Sequence, residues 1–130
     1  MNQRGFATLE VIMMVVVIGI LATIAVPRFT DVTTKANTAK IQSDLTTIDT
    51  ASQMYFMENG KYPEKISDLV DKYLMDEPKP PTGKAYMKNS DGTNFTAQDI
   101  GSTATSYGIN TTGRATLDSK TAGDFGLPKS

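Results

Sequence analysis

Residues 6–26, FATLEVIMMVVVIGILATIAV, constrain this chain more than any other stretch, because they form an apolar run of 21 residues whose only charge is Glu10. At the helical rise of about 1.5 Å per residue the run makes a helix of roughly 31 Å, which matches a hydrocarbon core of about 30 Å. It can span a membrane. An ionised side chain in a membrane helix costs on the order of 3 kcal/mol on insertion scales, so a carboxylate there implies a partner. Arg4 precedes the run and Arg28 and Lys35 follow it, giving little net orientation signal. A short basic leader normally stays on the cytoplasmic side.

Pro27 follows the run at once and is expected to bend the helix, since proline removes one backbone hydrogen bond and crowds the preceding turn. Beyond it Phe29, Val32, Ala36 and Ala39, then Ile41, Leu45, Ile48 and Tyr55, recur at helical spacing among polar residues. Residues 28–58 therefore read as the amphipathic half of one helix; from Phe6 it would run 53 residues, about 80 Å. Asn59-Gly60 closes it with a left-handed cap, and Tyr62-Pro63 makes the turn. Residues 66–75, with Ile66, Leu69, Val70, Tyr73 and Leu74 on one face, predict a short helix packed on a core. After the proline-rich connection at 77–83 the period shifts towards two, and residues 84–88, 94–97, 105–109 and 114–118 are strand candidates. Residues 119–130 are expected to be loosely ordered, with Phe125 and Leu127 able to pin them. The sum is an α+β fold, a long N-terminal helix packed on a small antiparallel sheet.

With 130 residues the chain suggests one domain beside the apolar segment. Thirteen basic against fourteen acidic side chains leave a net charge of −1, so no overall basic excess points to nucleic acid. Cysteine and histidine are both absent, which excludes disulfides, thiolate nucleophiles, conventional triads and ordinary zinc sites. Serine, threonine, lysine and carboxylates remain, but in no recognisable catalytic arrangement, so no catalytic residue is assigned. A cleaved secretory signal ending near Thr23-Ile24-Ala25, or an ordinary single-span anchor carrying a binding domain, accounts for the apolar run but leaves Glu10 without a purpose.

Gly5-Phe6, with Glu10 as the fifth residue counted from Phe6 and an unbroken apolar run after it, resembles the N-terminal signal of type IV pilins and the related pseudopilins of type II secretion and competence systems. The resemblance covers residues 4–28. It implies cleavage between Gly5 and Phe6 by a membrane-embedded prepilin peptidase, N-methylation of the new amine on Phe6, storage in the inner membrane as a single-pass precursor, and extraction by an assembly platform with an ATPase motor. The product would be a homo-oligomeric filament, periplasmic or extracellular. Gly19 and Pro27 match the glycine and proline that flank a stretch which melts in assembled filaments of the family. Asn59, Gly60, Tyr62 and Pro63 resemble the turn that ends the long helix in major pseudopilins and small pilins, where they shape the turn and pack the headgroup.

The physics answers what Glu10 is for. Cleavage exposes an α-amino group on Phe6 with an ordinary pKa near 8, largely cationic at neutral pH. Glu10 of a neighbouring subunit, or of the same one, is positioned to neutralise it. In a low-dielectric bundle such a pair specifies register more surely than it adds stability. Loss of the leader removes Arg4 and leaves twelve basic against fourteen acidic side chains. The expected organisation is a cleaved leader at 1–5, a hydrophobic helix at 6–27 and a soluble headgroup at 28–130.

Two departures from the family pattern matter. There is no cysteine for a C-terminal disulfide, and although Ser106-Tyr107-Gly108 resembles the stretch before a calcium loop, Asp91, Asn94, Asp99, Asp118 and Asp124 have no defensible ligand spacing. No metal and no cofactor are assigned. Lys79, Lys84 and Lys88 form a weak basic patch opposed by Asp76, Glu77 and Asp91, the basis of an alternative in which a minor or competence subunit contacts DNA. Asn94 and Asn110 each begin an Asn-x-Thr sequon.

Overall fold

The computed structural model describes residues 3–129, except for the side chains of residues 25–28. Helix α1 spans Gln3–Asn59, so helical backbone begins three residues before Phe6. Contacts divide the chain into two units that meet between Thr33 and Thr34.

In the first unit all the described side chains from residue 3 to residue 24 are exposed, and the helix is long and apolar enough to cross a membrane. A helix is the conformation such a sequence requires in lipid, because it satisfies every backbone polar group within the segment. The few hydroxyls are satisfied the same way: Thr8 donates to the Arg4 carbonyl at 2.9 Å and Thr23 to that of Ile20 at 2.7 Å. The backbone remains helical through residue 27, while the side chain of Pro27, expected to bend the helix, lies outside the described residues.

In the second unit α1 buries Thr34, Thr38, Ile41, Leu45, Ile48 and Ser52, with Tyr55 half-buried, a stripe spaced alternately by four and three residues. That is the spacing of a straight seam along a helix. Its N-terminal part corrects the face expected from sequence, since Phe29, Val32, Ala36 and Ala39 are all exposed. Threonines take the inner positions because their polar atoms are satisfied there: the Thr38 hydroxyl donates to the Thr34 carbonyl at 2.7 Å and accepts from the Tyr86 backbone N–H at 2.8 Å.

The helix ends as its sequence indicates. Gly60 adopts φ +73° and its N–H bonds to the Phe56 carbonyl, while the Asn59 amide donates to the Tyr55 carbonyl. The predicted helix at 66–75 is corrected to one 3-10 turn at Ile66–Asp68. Asp71 sits at φ +76°, and the Tyr73 and Leu74 N–H groups both return to the Leu69 carbonyl, which closes the chain into a tight turn before a second helical turn can form. The burial pattern survives: Ile66, Leu69 and Leu74 are in the core.

The strands form two separate two-stranded antiparallel sheets. Strand β1 (Lys84–Lys88) pairs with β2 (Phe95–Asp99) in the register Lys84 to Asp99 through Lys88 to Phe95; β3 (Gly108–Ile109) pairs with β4 (Ala115–Thr116). The expected strand at 84–88 is reproduced, and that at 94–97 is shifted to 95–99. Those at 105–109 and 114–118 shrink to two residues each. Side chains cap what the ladder would otherwise use: the Ala115 N–H goes to Asp49 on α1 at 2.6 Å and that of Arg114 to the Asn110 side chain at 2.9 Å. Ala85, Met87, Ile100, Tyr107, Ala115, Leu117 and Phe125 complete the core against α1. Residues 119–129 carry more order than expected. Phe125 is buried as a pin, but Leu127 is exposed.

Candidate functional site

On the first unit, Phe6, Leu9, Glu10, Met13, Met14, Val17 and Ile18 line one side of the helix. The three-and-four spacing of these residues makes that side continuous, and places Glu10 one turn from Phe6 on the same face. Among the described residues none forms a hydrogen bond or ion pair with the Glu10 carboxylate. Its neighbours on that face are aliphatic, aromatic or thioether side chains, so Glu10 is an acid on a greasy surface with no neutralising partner among the described residues. The bond between Gly5 and Phe6 lies in the first turns of α1. A Cβ built on Gly5 or on Gly19 would meet nothing within 4 Å, so packing within one chain does not require glycine at either position. Phe6, Glu10 and Gly5 are thus brought together, and Gly19 lies further along the same helix.

On the second unit the turn residues hold the headgroup together. Tyr62 stacks on Phe56 with ring centroids 4.5 Å apart, and its other face covers Gly113, where a Cβ would stand 2.1 Å from the ring. Pro63 is buried. Tyr62 and Pro63 therefore act in packing, while Asn59 and Gly60 shape the end of the helix. Polar side chains in and beside the buried stripe supply clamps that sequence reasoning missed. Asn37 donates to the Thr82 and Lys84 carbonyls, Gln42 to that of Phe125 at 2.6 Å, and Ser52 to that of Gly113 at 2.7 Å. Asp44 accepts from the Tyr107 hydroxyl at 2.7 Å and from Lys40 at 2.6 Å, and Asp49 from Ala115 and Arg114. A signal existed: Asn37 and Asp44, like Gln42 and Asp49, recur seven residues apart beside the seam.

At the end of α1, Glu58 accepts from Lys72 at 2.6 Å and from the Tyr73 hydroxyl. Those bonds, Lys72 first, hold its carboxyl below the ordinary range. Burial, and then the bond to Asp44, pushes the Tyr107 hydroxyl far above the ordinary phenol value.

The acidic candidates are dispersed. Asp91 accepts from Thr93 in its own turn, Asn94 from the Phe95 and Lys129 N–H groups, and Asp124 from Thr121, while Asp99 lies in β2 and Asp118 in a hairpin turn. Among the described residues no three His, Cys, Asp or Glu side chains gather where an ion would sit. Lys84 and Lys88 stand at opposite ends of β1, four residues or roughly 14 Å apart along the strand, and Lys79 lies on the proline-rich loop.

The chain is 35% identical over 86 residues to type II secretion system core protein G of Klebsiella michiganensis, covering 65% of this chain and 59% of that protein. It is 32% identical over 108 residues to the core protein G of Aeromonas hydrophila, covering 70% of this chain and 76% of that protein. The type IV major pilin protein PilA of Myxococcus xanthus is 30% identical over 68 residues, covering 52% of this chain and 31% of that protein. Among the relatives of Klebsiella and Pectobacterium the match spans from 44% to 59% of the relative's length. No family model matches the chain, and no solved structure matches it.

Proposed function

The chain belongs to the family of type II secretion system core protein G, and from that premise we propose that it is a structural, non-catalytic subunit of a pseudopilus or pilus filament. Seven of the relatives carry the secretion-system name, which favours a secretion pseudopilus over a surface pilus. The observation that carries the reading is Glu10, an acid without a partner among the described residues, on the apolar face that also bears Phe6.

In this reading a prepilin peptidase cuts after Gly5 and methylates Phe6, and residues 6–27 hold the precursor in the inner membrane until an ATP-driven platform extracts it. The headgroup, residues 28–130, stays in the aqueous compartment. The Phe6 amine of an incoming subunit meets Glu10 of its neighbour. Two opposite charges in a low-dielectric bundle attract strongly, and a helix displaced by one turn leaves both desolvated and unpaired, so the pair selects one axial offset. Aliphatic and thioether side chains of the same face then supply contact without regard to register. Gly19 and Pro27 bracket the length of helix that extends on assembly.

N-terminal sequencing and mass measurement of the membrane and filament forms test this. Both forms should begin at Phe6, methylated, with Arg4 gone. Glu10→Val should be processed normally yet lower filament yield at least tenfold. Processed Glu10→Val filaments at wild-type yield would remove the role given to the carboxylate, and filaments retaining the leader would remove the processing step.

A further inference from the structure

Methionine carries the only sulfur this chain has, since cysteine is absent, and histidine is absent too. Thioether sulfur is a poor ligand for hard cations and a good one for Cu(I) and other soft ions. The described methionines of the headgroup differ in setting. Met87 is buried in the core, and Met75 is 94% exposed beyond Leu74. Met54 and Met57 lie in the last two turns of α1, 50% and 81% exposed, and both line one cavity of about 370 Å³ with Glu58, Lys72 and Tyr73.

Residues three apart on a helix hold their Cβ atoms roughly 5–6 Å apart on one face. Methionine is unbranched with three rotatable bonds, so two thioethers placed in this way can close on one ion from either side without moving the backbone. The end of the helix favours a cation there. α1 stops at Asn59 with no basic residue in its last turn, so no cationic side chain of that turn meets the negative end of the helix dipole. Lys72 also lines the cavity, but it donates to Glu58 at 2.6 Å, and the two charges offset one another. The Tyr73 hydroxyl donates to the same carboxylate, and its ring meets Tyr55 edge-on with centroids 5.9 Å apart, so this wall is held from two sides. Glu58 is the one carboxylate among the lining residues and is committed to two donors, whereas a hard ion such as calcium takes six or more oxygen ligands. What the cavity offers a cation is therefore its two thioethers.

We propose that Met54 and Met57 are the ligands of a site for a soft monovalent cation of the Cu(I) class at the C-terminal end of α1. Each thioether supplies one sulfur, and the carbonyl dipoles of the helix end add to the attraction. The site lies wholly within the headgroup, so it depends neither on cleavage after Gly5 nor on filament assembly.

Silver(I) is the probe, since it shares the charge and softness of Cu(I) and is not oxidised by air. The full-length chain, labelled with carbon-13 at the methionine ε-methyl groups and held in detergent, is titrated with silver nitrate in chloride-free buffer and followed by NMR. Leucine substitutions, which conserve volume and keep the fold, assign the methyl signals. The Met54 and Met57 signals should shift together with one apparent affinity, while that of Met75 stays in place. Met54→Leu should weaken binding at Met57 by roughly tenfold, and Met57→Leu likewise at Met54, because each removes one of two soft donors. Met75→Leu should leave both unchanged, and calcium or magnesium ions at the same concentration should shift neither methyl. Met54 and Met57 signals that stay still, that move no more than that of Met75, or that titrate independently of one another overturn the site.

Discussion

Gly113 and Gly60 share a positive φ and differ in what surrounds them, so together they separate strain from packing. Gly60 has φ +73° and open space where a Cβ would project, whereas Gly113 has φ +78° and the Tyr62 ring there. Gly60→Ala should cost about 1 kcal/mol, the penalty of placing an L-residue in the left-handed region. Gly113→Ala should cost a further ~1–3 kcal/mol for displacing the ring, and Tyr62→Ala should remove most of that excess. Urea unfolding of the detergent-solubilised chain measures all three, and equal costs at the two glycines would show that Tyr62 yields freely. Tyr107 supplies a pH signature. Its phenol is raised by burial and by Asp44 above an ordinary value of 10.0, so the unfolded chain ionises first as pH climbs. Stability tied to the protonated phenol is complete below that value and is lost as pH rises beyond it. Tyr107→Phe should therefore lose less of its urea midpoint between about pH 8 and pH 11 than the parent chain. An identical alkaline loss in both would show that Tyr107 does not retain its proton in the folded state.

The hairpin after β4 is an element built with unsuitable residues. Asp118 and Ser119 occupy φ +49° and +63°, and Leu117 and Lys120 exchange both backbone hydrogen bonds at 2.9 and 3.0 Å, a two-residue turn of the type that favours Asn-Gly. Ser119→Gly should raise stability by about 1 kcal/mol, read as a higher urea midpoint with unchanged slope. A lower midpoint would mean that the unfolded-state freedom added by glycine outweighs the relief of strain. The same elements show how far local pattern carries. Residues 84–88 alternate strictly, and the strand is where they place it. Residues 66–75 carry a helical pattern of apolar residues and still turn after three, since Asp71 in the left-handed region brings Leu74 back to Leu69. For β3 and β4 the deciding partners, Asp49 and Asn110, belong to α1 and to a loop. Asp49 lies outside residues 105–118, so no property of that stretch alone contains it.

Among the described residues the buried side chains begin at Thr34, in the second unit, and every large apolar side chain described between Phe6 and Val32 is exposed. A chain that starts at Phe29 should accordingly remain soluble and monomeric and unfold in one cooperative step at a urea midpoint close to that of the full chain in detergent. Gel filtration and circular dichroism check this, and an aggregated or unfolded product would show that the span contributes to the headgroup fold. The apolar run with Glu10, the seam from Ile41 to Tyr55 and the cap at Asn59-Gly60 could all be read in the residues themselves, because composition and periodicity over one helix are local properties. Tertiary structure alone decided that Thr34 and Thr38, and not Phe29 and Val32, turn inwards, that Leu127 turns outwards beside a buried Phe125, and that helix side chains replace ladder bonds. The reason is physical: burial of a polar group depends on where its hydrogen-bond partner stands, and partners such as the Tyr86 N–H and the Gly113 carbonyl lie 48 and 61 residues away in the chain.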